Sequence, residues 1–480
     1  MDHTKLAKTL VAGLVATMAC CIAYGSHAQL HQSDSLIPVL ASLCHWTPFY
    51  WEQDRFGMLS AFLAMPIRDP WLNLQFQNWL SIASGASLLF LLPRYFARDD
   101  SWVPSGLLAL VMLLLTGDDF RFWTLSTCQP YGISFSLLLM GAILWPAPGT
   151  TARRWRLGAS QALLLLGAWV NVAGPLLVLL LWAGRIVASS AGRQSWRKTI
   201  VGIELQIGSG LVVAFLLGYG AARLTTAPFI GTRTHFGSLP VGDWLHGVIA
   251  LSANVWSALQ LPQAAILATV PLIALVAIWR RGGRAAAVMA TVATVYLGMV
   301  GSTKWLRSNS YAFRYAIPSV LLFVVAIATL LLAPWWHGAT NRVKTAVTIV
   351  LTATVIGLTF ATYGVPSTSR AQSLFAESNG RLTADVIAAE CTHLIGDYWS
   401  VWPAVFDSAR HNYERGNEQR VWGITVRATP TEPQWRSLPI SQWRLCSPRG
   451  DTERAKYWSA YHLPPAKSVS TLGDLEVFGF

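Results

Sequence analysis

Carboxylates gathered in two loops are the side chains of this chain best placed to do chemistry. The first 365 residues hold 11 Asp and Glu, and seven of them fall in segments that the apolar pattern puts on the outer side of a membrane. Charge close to hydrocarbon is costly and usually marks a functional site. Six of the seven lie in the first two outer segments. Asp69, before Pro70, is typical of a turn or cap residue, which leaves five candidates: Asp34, Glu52, Asp54, Asp118 and Asp119. They predict a carboxylate-lined site in which one acid acts as a general base.

Asp34 is the first candidate for that base. It comes directly after the first apolar span, where lipid and water meet and a carboxylate can be held partly desolvated. Taken alone, Asp34 is better explained as a helix N-cap, because it precedes an apolar helical face that begins at Leu36. The acids of the neighbouring segments favour the base instead.

The remaining acids form two further groups. Glu52 and Asp54 lie beside Arg55, and Asp118 and Asp119 are adjacent to each other. Each group alone is typical of a salt-bridged loop. Three acidic groups in adjacent outer segments favour convergence on one site. Asp54 with Asp118 or Asp119 would also offer hard oxygen ligands to a divalent metal ion, which the sequence neither requires nor excludes.

A later outer segment supplies three cations. Lys304, Arg307 and Arg314 run against the preference of basic residues for the inner side of a membrane. Arginine offers two donors at once to phosphate oxygens, and a lipid phosphate is the natural anion at this depth. The alternatives are contact with anionic headgroups and pairing with the acidic loops. Arg314, which Tyr315 follows, is the preferred phosphate ligand, ahead of Lys304.

The elements that must position these residues are membrane helices. The chain has 480 residues, of which 53% are hydrophobic and 12% are charged, with repeated apolar runs of the length that crosses a bilayer. The formal charge of +13 belongs to residues 1–365, which hold 24 Lys and Arg against 11 acids, whereas the tail holds 12 of each. Such an excess orients a membrane protein, so we expect no nucleic-acid partner.

Eleven spans are predicted, with the N-terminus inside. Sixteen basic residues fall in the inner loops and eight in the outer ones, which sets this orientation. The outer loops are then 28–73, 118–131, 223–262 and 304–315. The spans are 9–27, 74–96, 102–117, 132–147, 157–171, 173–189, 200–222, 264–280, 285–303, 316–335 and 346–364.

Two of these assignments have alternatives. Only Asn171, Gly174 and Pro175 separate the fifth and sixth spans, and a single helix there would move every later loop to the other side. The first span could also be a cleaved secretory signal that ends near Ala28, although its apolar run is long for a signal core. We prefer an uncleaved anchor.

The first outer loop predicts two short helices along the membrane surface. Their apolar faces begin at Leu36 and Phe56, and Trp51 and Trp71 fit an interfacial aromatic belt. A third helix is predicted by the spacing of Trp244, Val248, Leu251 and Val255.

Residues 366–480 predict a small α/β domain outside the membrane. A helix is expected over 382–394, and strands over 421–428, 443–446 and 475–480. An oxidising compartment permits a disulfide between Cys391 and Cys446, although separation along the chain does not test its geometry. Cys44 and Cys128 are a less favoured pair. The aromatic residues between 396 and 402 are typical of a core and, less often, of a sugar-stacking surface.

Several signatures are missing from the sequence. It contains no Gly-rich phosphate loop that ends in Lys-Ser or Lys-Thr, no His-Glu-x-x-His and no Cys-x-x-Cys. ATP-driven transport and a Cys or His zinc site therefore have no support.

The chain resembles the GT-C superfamily of polytopic membrane glycosyltransferases, which take sugars from polyprenyl-phosphate carriers at the outer face of the membrane. The resemblance rests on an acid after span one, Asp34; on the surface helices; on Asp118 and Asp119 in the second outer loop; and on Arg314-Tyr315 before Pro318. The first loop lacks the adjacent acid pair that many members carry. Eleven spans with an outer C-terminal domain are also similar to bacterial members.

The resemblance implies an inverting transfer at the anomeric carbon. Asp34 would remove the proton of the acceptor hydroxyl, while Arg314 with Arg307 or Lys304 would stabilise the departing lipid phosphate. Asp54, Asp118 and Asp119 would position the acceptor or hold a metal, and the second group of substrate contacts would be Glu52, Arg55 and Tyr315. The protein would lie in a bacterial inner membrane with its tail in the periplasm, and its partners would be a polyprenyl-phosphate-linked sugar, a glycan or lipid acceptor, and membrane lipids.

Two other functions remain open from the sequence. A carrier or scaffold for lipid-linked glycans should show ionisable residues or broken helices at mid-membrane, and Glu204 is the only acid inside a span. A polymerase or ligase of lipid-linked glycans would share the chemistry but use a polymeric acceptor.

Overall fold

The computed structural model describes most of the chain and divides it into two compact units. The first is built from Met1–Cys21, Leu80–Leu224 and Thr232–Val365, and the second mainly from Ile22–Trp79 and Pro366–Phe480. The described residues are 3–25, 31–51, 56–96, 101–125, 129–146, 153–172, 174–190, 204–225, 238–258, 283–336, 338–417 and 419–480.

Helices dominate both units. In chain order they are α1 (His3–Ala23), α2 (Ser33–Leu43), α3 (Leu59–Ala64), α4 (Pro70–Phe96), α5 (Trp102–Leu114), α6 (Asp118–Leu125), α7 (Gln129–Leu144), α8 (Arg153–Val170), α9 (Gly174–Ser190), α10 (Leu205–Thr225), α11 (Val241–Ala258), α12 (Arg284–Gly301), α13 (Lys304–Ser308), α14 (Ile317–Trp336), α15 (Asn341–Tyr363), α16 (Thr368–Ala388), α17 (Tyr398–Glu414), α18 (Glu432–Arg436) and α19 (Arg454–Ala460). A 3-10 turn, Phe313–Ala316, leads into α14.

The predicted polytopic helical architecture is confirmed. Ten of the eleven predicted spans coincide with helices, and the remaining one, 264–280, lies outside the described residues. The number of crossings stays a prediction. By length and composition, five helices in the described part of the chain are able to cross a membrane: Pro70–Phe96, Leu205–Ala222, Arg284–Gly301, Phe313–Leu332 and Asn341–Tyr363.

The fifth and sixth predicted spans are two separate helices. The first of them, α8, ends at Val170, and the backbone N–H of Gly174 donates to the carbonyl of Asn171 in the turn that follows. A Cβ at Gly174 would lie 2.3 Å from the Ser134 hydroxyl of a neighbouring helix. The turn therefore needs a residue without a side chain at this close approach.

The second unit joins the first outer loop to the tail. The face of α2 formed by Leu36, Ile37 and Leu40 is at most 2% exposed and belongs to the same core cluster as Phe375 and Phe406 of the tail helices. The apolar face of α2 therefore packs in a protein core, because such a face fits a core as well as a lipid interface. The position of α2 along the membrane surface stays a prediction.

Two aromatic residues of the predicted interfacial belt also belong to that core. Trp51 is 2% exposed and Trp71 is 3% exposed. In α3, by contrast, Phe62 and Leu63 remain about half exposed. The surface position expected for this second helix stays a prediction.

The tail contains a five-stranded mixed sheet flanked by α16 and α17. The strands are β1 (His393–Ile395), β2 (Trp422–Ile424), β3 (Leu445–Pro448), β4 (Ser468–Leu472) and β5 (Leu475–Gly479), in the spatial order β2-β1-β3-β5-β4. Strand β1 is parallel to β2 and β3, whereas β5 is antiparallel to β3 and β4. The predicted α/β tail with three of its strands is thus present.

One predicted tail element is wrong in part. The helix expected over 382–394 ends at Ala388, and His393–Ile395 forms the central strand β1. Glu390, at a φ of 48°, turns the chain between helix and strand. The apolar run at 393–395 is fully buried between two strands, and periodicity cannot distinguish such a run from the end of a helix.

A disulfide holds β1 to β3. Cys391 and Cys446 are bonded, with 6.1 Å between their Cα atoms and a sequence separation of 55. Cys44 is a free thiol, and burial raises its pKa. Cys128 lies outside the described residues.

Candidate functional site

Asp34 lies in the first turn of α2 and is held by a residue 364 positions later. The hydroxyl of Tyr398, in the tail, donates to Oδ1 of Asp34 at 2.5 Å. The N-cap position of α2 belongs to Gln32, whose side chain forms no cap hydrogen bond. The alternative that Asp34 is an N-cap is therefore wrong.

Tyr398 reaches Asp34 because the starts of two helices lie together. Tyr398 is the first residue of α17, and Asp397 caps that helix by accepting from the backbone N–H groups of Trp399 and Ser400. The Ser33 hydroxyl donates to the carbonyl of Tyr398 at 2.7 Å. Two side-chain hydrogen bonds thus join the first turn of α2 to the first turn of α17.

Tyr50 and Arg427 complete this cluster. The Tyr50 hydroxyl donates to the backbone carbonyl of Asp34 at 3.2 Å. The Arg427 guanidinium lies 4.8 Å from the ring centre of Tyr50 and 5.4 Å from that of Tyr398, and it donates to the carbonyl of Trp51 at 3.3 Å. Arg427 has a φ of 79°, a conformation that is strained for this residue type and that often marks functional sites.

The two tyrosines remain protonated at ordinary pH. Burial raises the pKa of Tyr398 well above its usual value, and the nearby Asp34 carboxylate raises it further. Burial also raises the pKa of Tyr50, while the charge of Arg427 opposes the shift. Both hydroxyls therefore serve as donors, that of Tyr398 to the Asp34 carboxylate and that of Tyr50 to the Asp34 backbone carbonyl.

Asp69, in the same unit, is a carboxylate that accepts hydrogen bonds from residues close to it in the chain. Its Oδ1 accepts from the backbone N–H groups of Trp71 and Leu72 at 2.8 and 3.0 Å, so it caps the start of α4. The sequence predicts this turn or cap position. Asp34 differs because its side-chain partner comes from the far end of the chain.

The other acidic candidates are only partly described. Glu52, Asp54 and Arg55 lie outside the described residues. Asp118 and Asp119 begin α6, and only their backbone is described. In the part of the chain whose side chains are described, no three His, Cys, Asp or Glu lie close enough to hold a metal ion. The metal hypothesis, which needs Asp54, Asp118 and Asp119, stays a prediction.

In the first unit, the backbone that carries the acid pair lies beside the segment that carries Arg314. The rings of Phe120, which follows Asp119, and Phe313, which precedes Arg314, stack at 6.1 Å with an angle of 6° between their planes. The convergence of Asp118, Asp119 and Arg314 on one site stays a prediction.

Arg314 itself contacts its neighbour Tyr315. Its guanidinium lies 5.1 Å from the centre of the Tyr315 ring, and Nη2 donates to the Tyr315 hydroxyl at 3.2 Å. Before this pair, Ser310 and Tyr311 have φ values of 52° and 54°. The Asn254 amide of α11 donates to the carbonyls of both, at 3.3 and 2.8 Å, and so holds the turn.

The other two predicted cations of this segment are exposed. Arg307 forms an ion pair with Asp243 at 3.1 Å, and both side chains are more than half exposed. An exposed pair of this kind is weak and leaves the guanidinium able to exchange partners. Lys304 is exposed at the start of α13.

Two residues of the Asp34 cluster were not predicted in that role. Arg427 carries no local pattern, because two of its partners, Tyr50 and Trp51, lie more than 370 residues earlier in the chain. Tyr398 lies in the aromatic run that the sequence interprets as core or sugar-stacking. It is core, at 8% exposure, and so is Trp402 at 2%, whereas Trp399 is 50% exposed.

Comparison with known proteins identifies the fold. No protein-family model matches the chain, and no curated protein matches it in sequence. A crystal structure of ArnT from Cupriavidus metallidurans bound to undecaprenyl phosphate superposes with a TM-score of 0.52 and 12% identity, over 99% of this chain and 98% of that chain. The apo crystal structure of the same protein gives the same TM-score and identity, over 100% and 98%. The chain has the ArnT fold.

The match to ArnT covers both units, including the tail. At 12% identity it shows the fold alone. At this identity the ArnT fold does not carry residue roles from one chain to the other. The assignment of roles to Asp34, Arg314 and their neighbours therefore rests on the contacts described above.

Proposed function

We propose that this protein is a membrane glycosyltransferase that moves a sugar from a polyprenyl-phosphate carrier to a glycan or lipid acceptor. The observation that carries the proposal is the Asp34 carboxylate, held by the Tyr398 hydroxyl at 2.5 Å beside Tyr50 and Arg427. The ArnT fold supports it, since one ArnT structure is bound to undecaprenyl phosphate. We also propose a bacterial inner-membrane location with the N-terminus inside and the tail in the periplasm.

The proposed reaction is an inverting displacement at the anomeric carbon. Asp34 removes the proton of the acceptor hydroxyl, and the hydroxyl oxygen forms the new glycosidic bond. The bond between the anomeric carbon and the phosphate oxygen breaks, and the lipid phosphate departs with the electron pair. The Arg314 guanidinium stabilises the charge on that leaving phosphate.

The other candidates have supporting roles in this scheme. Arg307 and Lys304 attract the lipid phosphate, and Tyr315 orients Arg314. In the second outer loop, Asp118 and Asp119 bind acceptor hydroxyls or a divalent metal together with Asp54. Glu52 and Arg55 contact the substrate beside them.

A carrier for lipid-linked glycans is less well supported. Glu204, the acid that such a carrier would use, forms an ion pair with Arg185 at 2.5 Å, and the Arg185 guanidinium lies 4.2 Å from the centre of the Tyr95 ring. This arrangement is typical of a contact that holds helices together. A polymerase or ligase would share the proposed site and differ in the size of its product.

The test compares two acids of the same unit in reconstituted vesicles that contain a labelled sugar on polyprenyl phosphate. We expect Asp34→Asn to lower transfer by at least about a hundredfold, the usual contribution of a general base. Asp69→Asn should leave transfer unchanged after correction for the amount of folded protein. Equal activities of the two variants would remove Asp34 from the base role, and the length of the labelled product would separate single transfer from polymerisation.

A further inference from the structure

We propose that the tail domain carries a saccharide-binding pocket built around Trp399, separate from the acidic cluster of Asp34. The pocket has a volume of about 690 Å³ and is bounded by α16, by the start of α17, by the end of β3 and by the turn between β4 and β5. Its uncharged polar lining includes Asn379, Ser378 and Ser400. The occupant that this lining fits is a neutral or aminated sugar unit of a glycan.

The first argument is the exposure of one indole. Trp399 is 50% exposed and lines the pocket, whereas its neighbours Tyr398 and Trp402 are 8% and 2% exposed and belong to the core. Core packing therefore explains two aromatics of this run and not the third. A large exposed aromatic face beside polar groups is the surface on which the C–H face of a pyranose stacks.

The second argument is that the Trp399 backbone is held in position. The Asp397 carboxylate accepts from the N–H groups of Trp399 and Ser400 at 2.8 and 3.2 Å. The N–H of Asp397 in turn donates to Asp451 at 2.6 Å. Gly396, at a φ of 152°, allows this approach, because a Cβ there would lie 2.2 Å from the Asp451 carboxylate. A held platform loses little entropy when a ligand stacks on it.

The turn between β4 and β5 is held through its backbone. Arg381 and Asp474 also form an ion pair at 2.8 Å, but both side chains are exposed and the pair adds little. The backbone N–H of Asp474 donates to Asp385 at 2.8 Å. The preceding Gly473 has a φ of 56° and leaves room for the Asp385 carboxylate. The pocket is therefore present before any ligand arrives.

The third argument is the charge of the lining, which selects the class of sugar. Three carboxylates, those of Glu377, Asp397 and Asp474, oppose two guanidiniums, those of Arg381 and Arg449. The N–H groups at the start of α17 are already bonded to Asp397, so they offer no anion site. A phosphorylated sugar would meet an excess of negative charge, whereas hydroxyl and amino groups find both acceptors and donors.

Two consecutive residues of α17 link this pocket to the proposed base. Tyr398 donates to Asp34 on one side of the first turn of α17, and Trp399 lines the pocket. Binding of saccharide at Trp399 does not depend on transfer. The proposal therefore stands or falls separately from the proposed function.

The test uses the full-length protein in lipid nanodiscs on an array of neutral, aminated and phosphorylated saccharides, followed by calorimetric titration with the tightest ligand found. We expect neutral or aminated saccharides to bind. Trp399→Ala should weaken binding by about tenfold or more, a change that corresponds to about 1.4 kcal/mol, and Trp399→Tyr should retain most of it. Tyr413→Ala is the matched control, because Tyr413 is 49% exposed on the same helix and does not line this pocket.

A second variant separates this proposal from the proposed transferase activity. Asp34→Asn should bind the same saccharide with unchanged affinity even if it has lost transfer. Loss of binding in Asp34→Asn but not in Trp399→Ala would overturn the Trp399 pocket, as would an array on which nothing binds or on which phosphorylated sugars bind best. Hydrogen exchange over α17 shows whether each variant keeps the fold of the tail.

Discussion

The Asp34 cluster and the Arg314 turn are built in opposite ways. Asp34 obtains its side-chain hydrogen bond from Tyr398, across 364 residues, and the cluster closes only when the tail domain folds against α2. Arg314 contacts Tyr315, the next residue, and the turn before it is held by the Asn254 amide. One region depends on a distant domain, and the other depends on its own segment and a neighbouring helix.

This difference shows which part of the proposed site depends on the stability of the tail. A perturbation confined to residues 366–480 should disturb the hydrogen bond to Asp34 and leave the Arg314 turn in place. A perturbation at Arg314 should do the reverse. The predictions below use this contrast, from the largest expected effect to the smallest.

Reduction of the tail disulfide should have the largest effect. The bond between Cys391 and Cys446 closes a loop of 55 residues, and a loop of that length is worth about 4 kcal/mol in the chain-entropy model. In Cys391→Ser, hydrogen exchange of the intact protein should show faster opening of β1, β3 and the start of α17, with unchanged exchange in Phe313–Ala316. Equal acceleration in both regions would contradict the contrast.

Acidification should destabilise the tail through His393. This side chain is fully buried, with Nε2 3.2 Å from the carbonyl of Trp435, and burial lowers its pKa to about 4. Between pH 6.5 and 4 the unfolded tail binds a proton that the folded tail does not. The free energy of unfolding therefore decreases as the pH is lowered through this range, by up to about 3 kcal/mol.

The check is hydrogen exchange of β1 at a series of pH values, corrected for the intrinsic exchange rate. His393→Gln should flatten the dependence between pH 6.5 and 4, and His411→Gln should not. A flat profile in the unmodified protein would show that His393 titrates in the folded tail as it does in the unfolded chain.

Substitution of Arg314 should affect transfer without affecting the tail. Loss of one charged donor to a leaving group typically lowers kcat by about a hundredfold. Arg314→Lys keeps the charge but loses the paired donors, so it should lower kcat by close to the same factor. Arg307→Lys is the comparison, because the exposed Arg307 is proposed to attract the phosphate by its charge alone, which lysine keeps, and it should change transfer little. Equal losses of transfer in the two variants would mean that the whole basic segment, and not Arg314 in particular, binds the phosphate.

The fold could be predicted from the sequence where local pattern decides it. Apolar runs predict the helices of the first unit, and the break near Asn171 predicts two helices there. The apolar face of α2 was recognised as a helix but assigned to the membrane surface, because a periodic pattern does not say which partner covers the face. The core residues Trp51 and Trp71 were misplaced for the same reason.

The candidate site divides in the same way. Asp34 and Arg314 are visible in the sequence as charges in apolar surroundings. Tyr398 and Arg427 are not, because the hydrogen bond of Tyr398 to Asp34 and the contact of Arg427 with Tyr50 join residues more than 360 positions apart. Only the folded tail brings them to α2. Whether Asp34 and Arg314 meet in one cavity stays a prediction, which the variants above test by function.

Tyr398→Phe should have the smallest effect on rate and the most specific one. The variant keeps the aromatic core contacts and removes the hydroxyl that donates to Asp34, so kcat should fall by about tenfold with KM unchanged. Hydrogen exchange over α2 and α17 should stay unchanged, because the hydrogen bond from Ser33 to the Tyr398 carbonyl remains. Tyr413→Phe, about half exposed on the same helix, should change neither the rate nor the exchange. A lower rate together with faster exchange over α2 and α17 would mean that Tyr398 only holds the tail in place, and the Asp34 cluster would then be a structural joint like the Arg185–Glu204 pair of the first unit.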